Sequence, residues 1–275
     1  MRIEILILLV LISSLCSCQE KKQTLITKQE REILSRSIAD APDSIVQGSP
    51  AYMKLLDSAL VVDPFNGSAY QKKAVVYTKQ VRPIDAFVML DSAVKYSFAE
   101  IAYRAWVRLY WYRDYKGSLA DLNTYDQKTS TMSDYAWGEH VQYLMGICNL
   151  FLKDYNASIK HFDHYIEDET KNAGADFVDY KAFLYKSINL YHLGEFNKAI
   201  ETIDLGLTKA KNSSELLFWK AKNLFALYRK KEAHEFYQKS KQNFLKGNNY
   251  QDASYEVFYE LYIEDIEKGI RECGR

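Results

Sequence analysis

The sequence contains few of the residues that interrupt helices. Among its 275 residues there are only four prolines and eleven glycines. Proline and glycine mark turns and chain breaks, so their scarcity favours helices over short strands joined by tight turns. Apolar residues make up 48% of the chain, which is enough to bury a sizeable core. The length favours one domain or one continuous repeat array.

Cysteine and net charge are also scarce. The four cysteines are a closely spaced pair, Cys16 and Cys18, and two distant residues, Cys148 and Cys273. This number and spacing do not encode a disulfide framework. Lysine plus arginine (36) equals aspartate plus glutamate (36), so the chain lacks the excess positive charge that binds a phosphate backbone. We therefore expect no nucleic-acid partner.

Motifs that carry enzyme chemistry are missing as well. The sequence has no GxSxG nucleophile motif, no glycine-rich phosphate loop and no HExxH zinc motif. Cys148 falls in the apolar run LMGICNLFL, where we expect a buried, inert thiol. His161 and His164 share one side of a predicted helix without a third ligand, which favours a solvated face over a metal site. We expect no catalytic residue, no metal and no cofactor.

The N-terminus has the composition of an export signal. Arg2 precedes an apolar run from Ile5 to Ile12, and small residues follow. This order is typical of a secretory signal peptide, and the run is too short to span a bilayer. It leads into LCSC, in which Cys18 has a leucine three residues before it and a small residue directly before it. These residues resemble the lipobox of bacterial lipoproteins.

The resemblance to a lipobox implies cleavage after residue 17 and attachment of lipid to Cys18. Residues 1–17 are then the signal peptide, and residues 18–30 are the lipidated cysteine and a polar tether. Two or more acyl chains attach a protein stably to a membrane. Gln19 stands where an aspartate retains some lipoproteins at the inner membrane, which favours the outer membrane of a Gram-negative envelope. Two cysteines in a transmembrane segment or in an ordinary cleaved signal are the alternative.

The rest of the chain is dominated by an internal repeat. LLDSALVVDPFN and MLDSAVKYSFAE align without gaps, with Ala59 and Ala93 34 residues apart. In the segments that follow, a small residue precedes a large one by four positions. The small residue allows two helices to approach closely, and the large residue fills the space beside it. The small residues are Ala86, Ser118, Ser158, Ala199 and Ala233, and the large ones are Leu90, Leu122, Phe162, Ile203 and Tyr237.

These segments resemble the tetratricopeptide repeat (TPR), a helix–turn–helix unit of 34 residues. The resemblance implies an all-α fold: an α-solenoid, in which about five to six antiparallel helix pairs form a right-handed superhelix. We expect the array to span residues 31–248, with a capping helix and tail in residues 249–275. Two long steps between repeats predict longer helices or inserted loops at QKTSTMSDYAWG and DETKNAGADF. A chance series of amphipathic helices is the alternative.

In TPR proteins the first helix of each pair lines a groove that binds partners. Carried over to this chain, the resemblance implies an aromatic partner-binding groove. Its residues are Tyr103, Tyr110, Trp111, Tyr143, Phe151 and Tyr191. Aromatic side chains supply much of the binding energy of interfaces.

The resemblances together imply a non-catalytic scaffold lipoprotein, anchored to the membrane by lipid, that binds another protein or peptide. Two alternatives remain open: a structural subunit of an outer-membrane assembly complex, and a glycan-binding lipoprotein of an outer-membrane uptake system.

Overall fold

The computed structural model describes residues 26–40, 45–129 and 135–274. The signal peptide, the lipobox and Cys18 lie outside these ranges, so their assignment stays a prediction. The chain divides into two compact units, Met1–Asn66 and Gly67–Arg275, and each is described by itself. None of the helices in the described ranges combines the length and apolar character that crossing a membrane requires.

The described part of the first unit contains one helix pair, α1 (Lys28–Ala39) and α2 (Pro50–Val62). Thr27 begins α1 in a capping box, which satisfies backbone N–H groups of the first turn. The Ser35 hydroxyl of α1 donates a hydrogen bond of 2.7 Å to the Ala59 carbonyl of α2. This buried bond requires the two helices to lie in close contact.

The second unit consists of five helix pairs, a hairpin and a closing helix. The pairs are α3 (Gly67–Lys79) with α4 (Pro83–Tyr96), α5 (Glu100–Tyr110) with α6 (Tyr115–Lys128), α7 (Val141–Phe151) with α8 (Tyr155–Asn172), α9 (Tyr180–His192) with α10 (Phe196–Lys209), and α11 (Ser214–Ala226) with α12 (Lys230–Phe244). The other elements are β1 (Tyr135–Ala136) and β2 (Glu139–His140) before α7, a 3-10 turn (Ala175–Phe177) before α9, and α13 (Ile263–Cys273) at the end.

The two long repeat steps have different structural causes. The first contains the β1–β2 hairpin, and the second contains the extended α8 and the 3-10 turn. Both outcomes, an inserted loop and a longer helix, were among those predicted from the repeat spacing.

The turns inside the five pairs are similar, although the returning hydrogen bond spans six residues between α5 and α6 and five residues in the other four turns. One residue has a positive φ, and the N–H group after it donates back to a carbonyl in the last turn of the first helix. The residues with positive φ are Val81, Arg113, Lys153, Gly194 and Tyr228. The returning bonds are Arg82 N to Tyr77 O, Asp114 N to Arg108 O, Asp154 N to Asn149 O, Glu195 N to Leu190 O and Arg229 N to Leu224 O, at 2.8–2.9 Å. Such bonds satisfy carbonyls that the end of a helix leaves without a partner.

The predicted register of small and large residues is confirmed. Nine of these ten residues have no exposed surface, and the tenth, Tyr237, is 4% exposed. The Ser158 hydroxyl of α8 donates a bond of 2.7 Å to the Gly146 carbonyl of α7. A Cβ atom at Gly146 would come within 2.9 Å of the Phe162 ring, so the two helices approach as closely as a glycine allows.

The predicted capping helix is wrong over its first half. Residues 245–262, which we call the connecting segment, contain no helix, and α13 begins only at Ile263. The spacing of Tyr255, Phe258 and Tyr262 suggests a helix, but Phe258 is 5% exposed because it packs against helices far away in the sequence. Tertiary burial here overrides the local pattern. The other domain boundaries stay predictions.

Candidate functional site

The six aromatic residues predicted to form the groove lie on α5, α7 and α9 or directly after α5. Tyr103, Tyr110 and Tyr143 are buried, whereas Trp111, Phe151 and Tyr191 are half-buried. The structure brings these residues into aromatic contacts, but it does not leave them as one open groove. The connecting segment of the same chain covers part of the surface.

Phe258 of the connecting segment is packed among rings of the first helices. Its ring centroid lies 5.2 Å from that of Tyr110, 5.3 Å from that of Phe151 and 6.5 Å from that of Tyr185. The guanidinium of Arg113 lies 4.2 Å from the centre of the Phe258 ring. The connecting segment therefore contacts Tyr110 and Phe151, two of the residues predicted to form the open groove.

Polar contacts hold the connecting segment along its length. The Ser214 N–H at the start of α11 donates to the Asn248 carbonyl at 2.9 Å. The Tyr250 N–H donates to the carboxylate of Glu215 at 2.6 Å, and Glu215 is buried. Arg113 donates through Nη2 to the Glu256 carbonyl. These bonds replace the partners that backbone groups would have in a helix.

Beside the connecting segment lies an open cleft of about 350 Å³, which we call the aromatic cleft. Its aromatic residues are Tyr103, Trp106, Trp111, Trp137 and Tyr255, and its other residues are Val75, Thr78, Lys79, Asp252 and Ser254. The rings form a continuous series. Tyr103 is 4.5 Å from Trp137 and 6.2 Å from Trp106, and Tyr255 is 6.0 Å from Trp106 and 6.4 Å from Trp111, measured between centroids.

The hairpin presents Trp137 at this cleft in an unfavourable backbone conformation. Trp137 and Gly138 form the two-residue turn, with φ values of 53° and 83°. Turns of this kind favour Asn-Gly, and a left-handed conformation costs an ordinary L-residue about 1–2 kcal/mol. Trp137 remains 49% exposed.

Two polar atoms of the cleft have no partner among the described residues. No hydrogen bond joins the indole N–H of Trp111 or Trp137 to another described residue, whereas the Trp106 indole donates to Glu139 at 3.1 Å. Thr78 is 1% exposed, and its hydroxyl lies near the hydroxyls of Tyr103 and Tyr112. The cleft therefore combines apolar ring faces with hydrogen-bonding capacity that the described chain leaves unused.

A second, smaller cavity of about 160 Å³ lies on the other side of Tyr255. We call it the tyrosine cavity, and it is lined by Tyr110, Glu139, Tyr143, Asp179, Lys181, Tyr185, Tyr250, Tyr255, Val257 and Phe258.

Glu139 places a largely buried carboxylate in the tyrosine cavity. Its carboxylate accepts hydrogen bonds from the Tyr110 hydroxyl at 2.6 Å and from the Trp106 indole. Burial raises the pKa of Glu139, and those two hydrogen bonds partly offset the increase. Asp179 instead forms an ion pair with Lys181, with a distance of 3.1 Å between Oδ2 and Nζ.

The hairpin that carries Glu139 is fixed to α8. The Tyr135 hydroxyl donates to the Glu169 carboxylate, and His140 Nε2 lies 3.0 Å from Asp168 Oδ2. Ala136 has no exposed surface. These contacts hold Trp137 and Glu139 at their respective sites.

The other candidate groups from the sequence have ordinary structural surroundings. Burial raises the pKa of the Cys148 thiol to about 12, so it stays protonated at neutral pH. His161 Nδ1 lies 2.7 Å from Gln142 Oε1, and burial lowers the pKa of this histidine. Within the described ranges, no group of three metal-ligating side chains could hold an ion.

The sequence prediction identified part of the aromatic cleft. Tyr103 and Trp111 line it, whereas Tyr110 and Tyr143 line the tyrosine cavity. Tyr191 packs against Trp219 at 5.4 Å and lines neither site. Trp106 was missed although it is three residues after Tyr103 on the same helix.

Three further residues of these sites were also missed. Trp137, Glu139 and Tyr255 lie outside the first helices, so the repeat positions do not indicate them.

Solved structures of TPR proteins are similar to this chain. PilF of Pseudomonas aeruginosa has a TM-score of 0.57 at 16% identity, covering 78% of this chain and 94% of that chain. PilW, a type IV pilus biogenesis factor, has 0.56 at 15% identity, covering 79% and 93%. YrrB, described as a TPR protein with an unusual peptide-binding site, has 0.52 at 11%, covering 68% and 91%.

At these identities the similarity shows the fold alone. No protein-family model and no curated protein sequence matches this chain. The predicted fold class is confirmed: the protein is an all-α, TPR-like solenoid.

Proposed function

We propose that this protein is a non-catalytic TPR scaffold, held at the cell envelope by lipid on Cys18, that binds another protein through the aromatic cleft. The observation that carries the proposal is the cleft itself. Five aromatic rings surround an open space, and two of them, Trp111 and Trp137, have indole N–H groups without a hydrogen-bond partner among the described residues.

The composition of the cleft supports binding rather than chemistry. Its surface is mainly apolar ring, with Lys79 and Asp252 as its only formally charged side chains. Nucleophilic catalysis needs a nucleophile within hydrogen-bond reach of a positioned base. Aromatic anchors in a pocket are instead typical of the residues that dominate binding energy at interfaces.

An extended peptide suits this cleft best. Its backbone carbonyls are acceptors for the free indole N–H groups, and aromatic-lined grooves bind extended peptide segments in other domains. YrrB, whose fold is similar, is described as having a peptide-binding site. Peptide binding by a solenoid of this kind therefore has a structural precedent.

The envelope location is supported by two observations. The LCSC motif resembles a lipobox, and PilW, which has a similar fold, is a type IV pilus biogenesis factor. The test is to fractionate cells that express Cys18→Ser or Cys16→Ser. We expect Cys18→Ser to leave the membrane fraction and Cys16→Ser to remain in the outer membrane. Membrane retention of Cys18→Ser would contradict lipid anchoring at this residue.

The partner can be tested by affinity capture after crosslinking in cells. We expect a defined protein to be captured by the wild type, and about thirtyfold less of it by Trp111→Ala or Trp137→Ala, because truncating a dominant interface residue costs about 2 kcal/mol or more. Tyr228→Ala is the matched control, since Tyr228 is 89% exposed and does not line the cleft. Equal capture by all four proteins would exclude the cleft as the binding surface.

A glycan ligand is the second candidate for the same cleft. The exposed face of Trp137 can stack on a sugar ring, and Asp252 and Lys79 can bind its hydroxyl groups. Binding of the purified protein to a glycan array, lost in Trp137→Ala, would favour this candidate. A subunit of an outer-membrane assembly complex is the third candidate, for which co-purification with a barrel assembly protein is the test.

A further inference from the structure

The walls of the tyrosine cavity are aromatic and its size is small. Rings of Tyr110, Tyr143, Tyr185, Tyr255 and Phe258 surround a space of about 160 Å³. A cavity of roughly 150 Å³ is large enough for one benzene molecule. The tyrosine cavity therefore has room for one small chemical group and not for a length of peptide. Aromatic faces carry negative electrostatic potential and attract cations within about 6 Å.

The charge of the cavity is not balanced by the protein. Asp179 is paired with Lys181, whose ammonium group also lies 4.3 Å from the centre of the Tyr250 ring. Glu139 has no cationic side chain within ion-pair distance among the described residues, and the Trp106 indole and Tyr110 hydroxyl that donate hydrogen bonds to it are both neutral. A carboxylate removed from water without a counter-ion is unfavourable. The cavity lining thus carries two carboxylates and one ammonium group, so Glu139 and Asp179 share the attraction of Lys181.

A tyrosine hydroxyl lies at the same site. Tyr143 is only 7% exposed and lines the tyrosine cavity, yet its hydroxyl forms no hydrogen bond with another described residue. Tyr143 also lines a neighbouring pocket of about 280 Å³, together with Glu139, Asp179 and Glu169. The two adjoining pockets therefore share the carboxylates of Glu139 and Asp179, a distribution that favours a positively charged ligand.

We propose that the tyrosine cavity binds an organic ammonium ion. The carboxylate of Glu139 faces the positive charge, and the rings of Tyr110, Tyr143, Tyr185 and Tyr255 surround its carbon substituents. This site goes beyond the protein-binding role of the aromatic cleft, because the ammonium ligand enters a separate, smaller cavity. Glu139 does not line the cleft, so its substitution probes the cavity directly.

The proposal can be tested by calorimetric and NMR titration of the purified full-length protein. The probe is tetramethylammonium chloride, with sodium chloride at the same ionic strength and tert-butanol as a neutral molecule of similar shape. We expect saturable binding of tetramethylammonium and no saturable binding of tert-butanol. Equal binding of both molecules, or no saturable binding of the cation, would overturn the proposal.

Two variants locate the binding site. Glu139→Gln keeps the shape and the acceptor oxygen but removes the charge, and we expect it to weaken tetramethylammonium binding roughly tenfold. Glu264→Gln removes the same charge from an exposed position on α13 and is expected to bind like the wild type. If Glu139→Gln does not fold, Phe258→Leu removes an aromatic wall of the cavity that does not line the aromatic cleft, and it is expected to weaken binding about threefold. Unchanged binding in a folded variant of either cavity residue contradicts the assignment.

Discussion

The interior of the helix pairs and the surface beneath the connecting segment are both rich in large apolar side chains, but they are built in different ways. Inside the pairs, equivalent positions repeat, as with Ser118 and Ser158, whose hydroxyls both bond to a carbonyl of the preceding helix. Beneath the connecting segment no contact repeats. Phe258 fits one arrangement of rings, and Trp137 lies on one hairpin.

This difference distinguishes the helix pairs, which form the scaffold, from the two candidate binding sites. The repeated positions hold the helices together, whereas the aromatic cleft and the tyrosine cavity are completed by the two irregular elements, the hairpin and the connecting segment. The helices satisfy their own backbone hydrogen bonds, but the connecting segment depends on Glu215 and Arg113 for several of its bonds. We therefore expect it to open at a lower free energy than the helix pairs.

Replacing Phe162 with alanine is expected to have the largest effect on stability. Phe162 has no exposed surface and packs on Gly146, Tyr143 and Tyr185. Truncation leaves a cavity in the interior, so the free energy of unfolding should fall by about 3–5 kcal/mol in urea denaturation. Ile84→Ala is the control, because Ile84 is 81% exposed and should change stability by less than about 0.5 kcal/mol. A comparable loss in both variants would contradict the interior role of Phe162.

Replacing Phe258 with alanine should have a smaller and more local effect. The loss is expected to be about 2–3 kcal/mol, below that of a rigid core site, because the connecting segment can detach while the helices stay folded. Hydrogen exchange should become faster in residues 245–262 and remain slow in α7 and α8. Equal acceleration in the two regions would show that the segment and the helix pairs form one cooperative unit.

The smallest expected effect is the pH dependence contributed by Glu139. Burial raises its pKa in the folded protein above the ordinary value of 4.5, so the folded state binds the proton more tightly than the unfolded chain does. Stability from this group is present below pH 4.5 and is lost as the pH rises through the raised pKa. Glu139→Gln should abolish this loss, so the variant should gain stability over the wild type as the pH rises from acidic to neutral. Urea midpoints of the two proteins that change in parallel between pH 4 and pH 7 would contradict the raised pKa.

The sequence was sufficient for the features that depend on local, repeated patterns. The register of Ser158 and Phe162 follows from helical spacing. The sites were predicted only in part, because their contacts join distant residues. Phe258 meets Tyr110 across more than a hundred residues, and Glu139 receives its hydrogen bond from Tyr110 through a hairpin that the repeat pattern does not contain. No local signal indicates such pairs.

The first half of the capping helix was predicted incorrectly for the same reason. Tyr255, Phe258, Tyr262 and Ile266 have helical spacing, but only Ile266 lies in a helix. Apolar spacing reports which residues are buried, and an extended segment lying on aromatic rings can produce the same spacing as a helix face.

Photo-crosslinking in living cells tests the central claim most directly, namely that the aromatic cleft is the partner-binding surface. Benzoylphenylalanine is placed at position 137 in one protein and at position 228, which is exposed outside the cleft, in another. We predict a discrete crosslinked protein from position 137 only, and its loss when Trp111→Ala is added. Crosslinks of equal yield from both positions, or a product from position 137 that is insensitive to Trp111→Ala, would contradict the account.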